Sequence, residues 1–232
     1  MALIDRALEL TSLEKTYDIK IKNGNIKQLE KFVSKRCVFD PKIVYIGEDR
    51  FPVVANKKEV FDTLKLCDMI LQESMPKLND KNDEKYFVKL LSKHEKLCNK
   101  LASHYTNILT DPKIVKAEIE YRKNRIAENT IRTAQKAIYK IDNHMSKYAD
   151  PRCCVVNGRT REEYVKMIKD AKMNCPEINA RHYMIHIRYN NTVKITNTLS
   201  DYLANITICK DVVKTKETKK SKPSKANVDP TR

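Results

Sequence analysis

The chain has 232 residues, of which 41% are hydrophobic and 33% are charged, and its formal net charge is +16. This length is enough to bury a core, and the charge favours a polyanionic partner such as nucleic acid, an anionic membrane surface or an acidic protein. The chain has only three glycines and neither a GxGxxG nor a GxxxxGK[ST] motif, so a nucleotide-dependent enzyme is not expected.

Seven cysteines are scattered along the sequence, of which only Cys153 and Cys154 are adjacent, and the first residues contain no apolar secretory segment. An odd count without a compact disulfide framework predicts a reducing, intracellular compartment, which means the nucleus, the cytoplasm or a virion. No run approaches the roughly 18 apolar residues of a membrane-spanning helix, so no membrane span is expected.

Residues 1–76 are predicted to form an N-terminal α+β unit. Residues 2–15 have the apolar spacing of an amphipathic helix, and residues 17–22 alternate between apolar and polar side chains like a strand. A second helical face begins at Asn25 and ends near Asp40.

A β-hairpin and a capped helix complete this unit. Ile43–Ile46 and Phe51–Val54 are separated by a glycine-containing turn, and Pro52 places the second strand at a sheet edge. Asn56, followed by Glu59, predicts a capping box at the start of a helix. The buried stripe of that helix consists of Val60, Leu64, Cys67 and Leu71.

Residues 77–150 are predicted to form two long helices. The first carries apolar residues at steps of three and four up to Ile108, and the second begins at Pro112 behind the N-cap residue Asp111. Because the link between them is so short, they are expected to fold back as an antiparallel hairpin with facing seams. The coiled-coil seam of the second helix comprises Ala127, Ile131, Ala134, Ile138, Ile141, Met145 and Tyr148.

Residues 151–212 are predicted to form a small α+β unit. Thr160 and Glu163 form a capping box that opens a helix to about Met173. Alternation over Arg181–Tyr189, followed by two asparagines and further alternation, predicts a β-hairpin, and Ser200 is expected to cap a last helical turn.

Residues 213–232 are rich in lysine and poor in apolar residues, which predicts a disordered basic tail. The expected fold class is therefore mainly α (α+β). It contains a long antiparallel helical hairpin with small flanking β-hairpins and a disordered basic C-terminal tail.

Basic residues on the second long helix and in the tail form the candidate binding site, because lysine and arginine release counterions from phosphates. Tyr121 and Tyr139 lie beside the helical stripe, where they are candidates for stacking on bases. A solvated helix face and a solubilising tail are the alternative interpretation. The residues predicted to bind nucleic acid are Arg122, Arg125, Arg132, Lys136, Lys140, Lys147, Lys216, Lys219, Lys220, Lys222 and Lys225.

A metal site is the second candidate, since thiolates and imidazoles suit zinc. The ligands would come from Cys153, Cys154, Cys175, His182 and His186, but their spacing lacks the paired cysteines of zinc modules. On a strand the two histidines would be about 13 Å apart, too far to share one ion. No metal or other cofactor is therefore predicted, and a disulfide between Cys154 and Cys175 is a separate alternative.

Catalysis has little support in the sequence. Glu162 and Glu163 are adjacent carboxylates, but carboxylates favour the first turn of a helix through the helix dipole. Cys153 and Cys154 offer thiols without a local nucleophile signature. An enzyme of unknown class is therefore only the third alternative.

The stretch from Cys154 to Cys175, with Asn157, Gly158 and Tyr164 between them, resembles the two-cysteine adaptor segments of large DNA-virus proteins. The similarity covers 22 residues and lacks much of the central glycine pattern of that family. It implies a viral structural component without placing the chain in the family.

The leading prediction is a non-enzymatic structural or assembly protein that engages nucleic acid or an acidic protein surface without sequence specificity. The alternative is a capsid-type or scaffold adaptor that acts through protein–protein contacts, including those of a large DNA-virus virion. In either case, homo- or hetero-oligomers are expected to form through the end of the long helix.

Overall fold

The computed structural model describes residues 31, 33–75, 78, 81–148, 154–175 and 177–220. These residues are mainly helical with two small antiparallel sheets, which confirms the predicted fold class. The helix and the strand predicted within residues 2–22 lie outside the described residues. In chain order the elements are β1 (Ile43–Ile46), β2 (Phe51–Val54), α1 (Lys57–Ser74), α2 (Lys81–Thr110), α3 (Pro112–Tyr148), β3 (Val155–Val156), β4 (Arg159–Thr160), α4 (Arg161–Met173) and α5 (Ala180–Lys220).

The described residues group into two units. The first contains those up to Tyr105 together with those from Thr196 onward, and the second runs from Thr106 to Ile195. The first unit is thus built from two separate stretches of the chain. The division predicted at residues 76, 150 and 212 stays a prediction.

The β-hairpin of the first unit is confirmed at the predicted residues. β1 pairs with β2 so that Ile43 faces Val54 and Ile46 faces Phe51. The turn between them is closed by the Arg50 amide, which donates to the Gly47 carbonyl at 3.1 Å. Gly47 has φ +77°, a left-handed conformation that glycine adopts readily because it has no Cβ.

Asn56 occupies the N-cap position of α1, but the predicted capping box is wrong because its side chain makes no cap hydrogen bond. The side-chain amide instead donates to the Asp40 carbonyl at 3.0 Å, and its oxygen accepts from the Lys42 amide at 2.8 Å. These contacts use both the donor and the acceptor of the amide, whereas a cap uses only the acceptor. Asn56 therefore anchors the start of the hairpin.

Helices α1, α2 and α5 enclose the core of the first unit. Polar contacts link α5 to both neighbours, since Asn205 donates to Asp68 at 3.2 Å and Lys210 pairs with Glu95. Each large apolar side chain buried here stabilises the fold by about 1.5–3 kcal/mol. The buried residues include Val60, Leu64, Cys67 and Leu71 of α1, Phe87, Leu91, Leu97 and Leu101 of α2, and Leu199 and Ile206 of α5.

In the second unit, both predicted helix starts are confirmed. The Asp111 side chain accepts from the Lys113 amide at 2.8 Å at the start of α3. At the start of α4, the Glu163 amide donates to the Thr160 hydroxyl at 3.4 Å, and the Thr160 amide donates to the Glu163 carboxylate at 2.7 Å. This capping box accounts for the carboxylate of Glu163 without a catalytic role.

The middle of the α3 seam, which comprises Ala134, Ile138 and Ile141, packs against α4 and β3, where the seam of α2 had been expected. Tyr164 of α4 lies at the centre of the contact, and its hydroxyl donates to the Val156 carbonyl at 2.8 Å. The two seams thus have separate partners. The cluster comprises Ala134, Ala137, Ile141 and Tyr164, with Ile138, Val156, Met167 and Ile168 packed around it.

The β-hairpin predicted from Arg181 onward is wrong, because this segment is the beginning of α5. The half-buried and buried positions recur at helical spacing and include His182, His186, Tyr189 and Thr192. Since three of these four residues are not apolar, hydropathy shows an alternating pattern and hides the helical one. The last capped turn predicted near residue 200 is likewise part of this continuous helix.

Helix α5 ends at Lys220, so the predicted disorder is wrong for residues 213–220, while residues 221–232 lie outside the described part of the chain. Val212 and Val213 are half-buried, and the Lys216 amino group donates to the carbonyls of Met75 and Leu78 at 3.4 Å. A cation is favourable beside the last carbonyls of a helix, here those at the end of α1. These contacts extend the helix into the lysine-rich sequence.

His94 makes the stability of the first unit sensitive to pH. The ring is fully buried, and among the described residues neither of its nitrogens has a hydrogen-bond partner. Burial lowers the pKa of His94 from 6.5 to about 4, so in this range the unfolded chain binds a proton that the folded chain does not. Stability present above pH 6.5 is therefore lost as the pH falls towards 4. We expect this loss to be on the order of 3 kcal/mol.

Urea unfolding at several pH values tests this expectation. His94→Phe removes the titrating group but keeps an aromatic ring beside Tyr202, whose centroid lies 5.8 Å from that of His94. The free energy of unfolding of this variant should depend less on pH than that of the wild type. His144→Gln, which removes an imidazole from the exposed surface, is the matched control. An unchanged pH dependence in His94→Phe would contradict the expectation.

Candidate nucleic-acid interface

Basic residues lie on the face of α3 opposite its buried seam. Successive residues of an α-helix are rotated by about 100° about its axis. On this basis the basic side chains fall within an arc of about 80°, and the centre of the arc is about 180° from the centre of the seam. These residues are Arg122, Arg125, Arg132, Lys136 and Lys140. All five side chains are exposed. The backbone of residue 147 continues the same arc in the last turn of α3, and the Lys147 side chain lies outside the described part of the structure.

Two of these arginines are already paired with carboxylates of α3. Arg122 donates to Glu118 at 2.7 Å, and Arg125 donates to Glu128 at 2.7 Å. The hydrogen bond and charge of Glu118 raise the pKa of Arg122. Because their charges are compensated, these arginines attract a polyanion less than their number suggests.

Arg132, Lys136 and Lys140, here called the basic row, differ from these arginines because none of them pairs with an acidic side chain among the described residues. They follow one another at four-residue steps, about 6 Å apart along the helix axis. Tyr139 is 69% exposed and lies three residues after Lys136, on the same side of α3. The structure thus places three uncompensated cations and an accessible aromatic ring together.

Tyr121, the other ring predicted to stack on bases, is not available for this role. It is buried, and its ring stacks on that of His186 with centroids 3.9 Å apart. The ring of Tyr183 lies 6.4 Å away on the same helix, α5. Tyr121 therefore belongs to the contact between α3 and α5.

The buried carboxylate of Glu118 organises this contact, and the sequence did not indicate it. Its side chain is 4% exposed and lies 3.0 Å from Nδ1 of His186, in addition to its contact with Arg122. Nε2 of His186 lies 2.9 Å from the side-chain amide of Asn190. Together these contacts indicate the tautomer in which Nδ1 donates to Glu118 and Nε2 accepts from Asn190.

The candidate metal ligands are placed differently from the prediction. His182 and His186 lie one turn apart on α5, so the expected strand separation of about 13 Å is wrong. Each imidazole faces a carboxylate of α3, with His182 3.5 Å from Glu120. No group of three or more histidine, cysteine, aspartate or glutamate side chains within the described ranges is arranged to hold a metal ion.

None of the six described cysteines forms a disulfide, including Cys154 and Cys175, and Cys153 lies outside the described residues. The Cys175 thiol donates to the Asn124 carbonyl at 4.0 Å. Burial raises the pKa of Cys98 to about 12, so this thiol stays protonated and is a poor nucleophile. Such thiols are compatible with the predicted reducing compartment.

Among the predicted tail lysines, the structure describes the side chain of Lys216 alone. The amino group of Lys216 is occupied by carbonyls of the first unit. Lys219 and Lys220 belong to the last turn of α5, and nothing is described of their side chains. Lys222 and Lys225 lie beyond the described residues, so their role in binding stays a prediction.

A shallow groove of about 620 Å³ lies between α3 and α4. Ile126, Ala127 and Met167 contribute apolar surface to it, and Asp170 contributes a carboxylate. Ile126 is 66% exposed, so most of its apolar side chain is open to solvent.

Comparison of the chain with protein-family models, with curated proteins and with solved structures gives no match. Function is therefore inferred from the geometry of the described residues. Among them, no helix has a stretch that is both long and apolar enough to cross a membrane.

Replacing Glu118 tests its structural role. We expect Glu118→Gln to lower the free energy of unfolding by about 1–3 kcal/mol, because His186 and Arg122 lose a charged acceptor in a buried position. The exposure of Arg122, 61% of its side chain, keeps the loss well below that of a fully buried ion pair.

The matched control is Glu128→Gln on the same helix, where both partners of the ion pair are exposed to solvent. It should change the free energy of unfolding by less than about 0.5 kcal/mol. Urea unfolding at neutral pH measures both variants, and equal effects would contradict the assigned role of Glu118.

Proposed function

We propose that the protein binds nucleic acid without sequence specificity and acts as a non-enzymatic structural or assembly protein. The observation that carries this proposal is the basic row with Tyr139 beside it, on the exposed face of α3. The net charge of +16 adds long-range attraction to a polyanion. The proposed setting is a reducing compartment, which means the nucleus, the cytoplasm or a virion.

The chemistry of the row supports phosphate contacts without base recognition. Lysine and arginine bind phosphate oxygens, and such contacts position a protein on nucleic acid without carrying sequence information. The opposite face of α3 is packed on α4 and β3, so the backbone beneath the row is held in one conformation. Less conformational freedom is then lost on binding.

Neutralising the basic row should weaken binding and its dependence on salt. In the variant Arg132→Gln, Lys136→Gln, Lys140→Gln, we expect the slope of log affinity against log salt to become less steep by about one for each cation removed. Fluorescence anisotropy with labelled DNA and RNA of several sequences, between about 50 and 200 mM salt, measures this slope.

The matched control neutralises Lys113, Lys116 and Lys123, which are exposed on other faces of the same helix. It removes the same charge, so a smaller effect identifies the row as the contact. Deleting residues 221–232 separately tests the tail without shortening α5. If both triple variants weaken binding equally, or if the wild type binds no nucleic acid at low salt, the proposal is wrong.

Tyr139 should add affinity for single strands. Stacking of a base on an aromatic side chain contributes about 1–3 kcal/mol, so Tyr139→Ala should weaken binding to single strands and leave duplex binding nearly unchanged. Tyr45 of the first unit is 68% exposed and supplies a matched control, Tyr45→Ala, which should bind like the wild type. An equal loss for single strands and duplexes would contradict stacking by Tyr139.

A scaffold adaptor that acts through protein contacts is the second candidate function. The groove between α3 and α4 favours it, because Ile126, Ala127 and Met167 line it together and contiguous apolar surface is typical of protein-binding sites. A protein that ignores DNA and RNA at low salt but forms defined oligomers would support this candidate.

A further inference from the structure

Strand β1 exposes four consecutive apolar side chains. Ile43, Val44, Tyr45 and Ile46 are between 38% and 68% exposed, although the matching residues of β2 are half-buried or buried. A run of this length is a liability in a soluble protein unless another surface covers it. Both faces of the strand contribute, since successive side chains point in opposite directions.

The hydrogen bonds of the hairpin show which backbone groups of β1 face outward. The Ala55 amide donates to the Lys42 carbonyl at 2.7 Å, and the Lys42 amide donates to the side chain of the next residue, Asn56, so both backbone groups of Lys42 face the β2 side. Bonded and non-bonded pairs alternate along an antiparallel ladder. In the observed register, Val44 is therefore bonded to β2, whereas the amides and carbonyls of Ile43 and Tyr45 point away from it.

The two outer edges of this hairpin are not equivalent. Pro52 of β2 lies opposite Tyr45, in a non-bonded pair, so its missing N–H belongs to the outer edge of β2. Proline at that position prevents another strand from pairing there. The outer edge of β1 contains neither proline nor charge, and no described residue bonds to the outward groups of Ile43 and Tyr45.

We propose that β1 is a self-association edge, at which a second copy of the chain adds its own β1 in antiparallel orientation. The result is a four-stranded sheet in which the two β1 strands are central and the two β2 strands are at the edges. Each outer edge of this sheet then carries a proline. The pairing closes on itself as a dimer and does not propagate.

The register of the pairing follows from the outward groups. Ile43 pairs with Tyr45 of the second copy and Tyr45 with its Ile43, which allows four backbone hydrogen bonds around Val44 on the two-fold axis. A shift by one residue would place the outward backbone groups of one strand opposite backbone groups of the other strand that point towards its own β2, so these hydrogen bonds could not form. A shift by two residues would place Tyr45 opposite Tyr45 of the second copy and Ile43 opposite its Gly47. Because Gly47 has φ +77° and lies outside the strand, only the tyrosine pair could then form both of its backbone hydrogen bonds.

Charge also favours a second copy as the occupant of this edge. Lys42 precedes β1 and Glu48 follows it, and both are exposed. In the antiparallel register Lys42 is opposite Ile46 of the second copy, so it lies at the same end of the pair as the turn of that copy, in which Glu48 is exposed. The two-fold axis repeats this arrangement of opposite charges at the other end of the pair.

The dimer should be weak. A four-residue strand covers less than the roughly 1,200 Å² of a standard stable interface, so association should be transient. We expect monomers at about 1 µM and a clear rise in mass by about 500 µM, within the range typical of small interfaces. Nuclease treatment and high salt exclude assemblies bridged by nucleic acid, so this test is independent of the proposed function.

Tyr45→Pro is the decisive variant. It removes an outward N–H but no bond between β1 and β2, since Tyr45 belongs to a non-bonded pair. The control Tyr45→Thr trims the ring and keeps both the N–H and a residue that favours strands. In sedimentation equilibrium, the wild type and Tyr45→Thr should approach twice the monomer mass, and Tyr45→Pro should stay monomeric.

Amide hydrogen exchange shows whether the hairpin survives in the variant. Protection of the inward Val44 amide should persist in Tyr45→Pro, and the Ile43 amide of the wild type should gain protection as concentration rises. The proposal is wrong if the wild type stays monomeric throughout. It is also wrong if Tyr45→Pro dimerises like the wild type with its hairpin intact.

Discussion

The period of the α-helix is the constraint on which the second unit depends. With about 3.6 residues per turn, α3 directs Ala134, Ile138 and Ile141 to one side and Lys136 and Lys140 to the other. Burial of the first group against α4 and β3 fixes the rotation of the helix about its axis. The basic row then faces solvent as a geometric consequence. A rotation of about 100°, one residue, would direct charged side chains towards the seam.

The buried carboxylate of Glu118 determines which cations at the start of the predicted basic stripe are already paired. Glu118 must be compensated because a buried unpaired charge is strongly unfavourable. Arg122 supplies a positive charge, and Nδ1 of His186 supplies a hydrogen bond. The predicted stripe therefore contains cations of two kinds. Arg122 and Arg125 are compensated by Glu118 and Glu128, whereas the basic row has no acidic partner among the described residues.

Local signals allowed the hairpin of β1 and β2, the start of α3 at Pro112 and the capping box at Thr160 to be predicted, because neighbouring residues determine each of them. The beginning of α5 was mispredicted because its buried face is polar. His186 reaches Glu118, 68 positions earlier, and no local pattern encodes that contact. The absence of glycine and proline between residues 177 and 222 is the one local signal that favoured a helix there. Likewise, the sequence alone does not distinguish an arginine that pairs with a carboxylate from one that does not.

The division of the chain also sets an order of folding during synthesis. The second unit is contiguous, from Thr106 to Ile195, so all of its residues leave the ribosome before the first unit is complete. The first unit needs Leu199 and Ile206 of α5 to cover the apolar faces of α1 and α2. Nascent chains that end before Thr196 therefore expose these apolar faces to solvent.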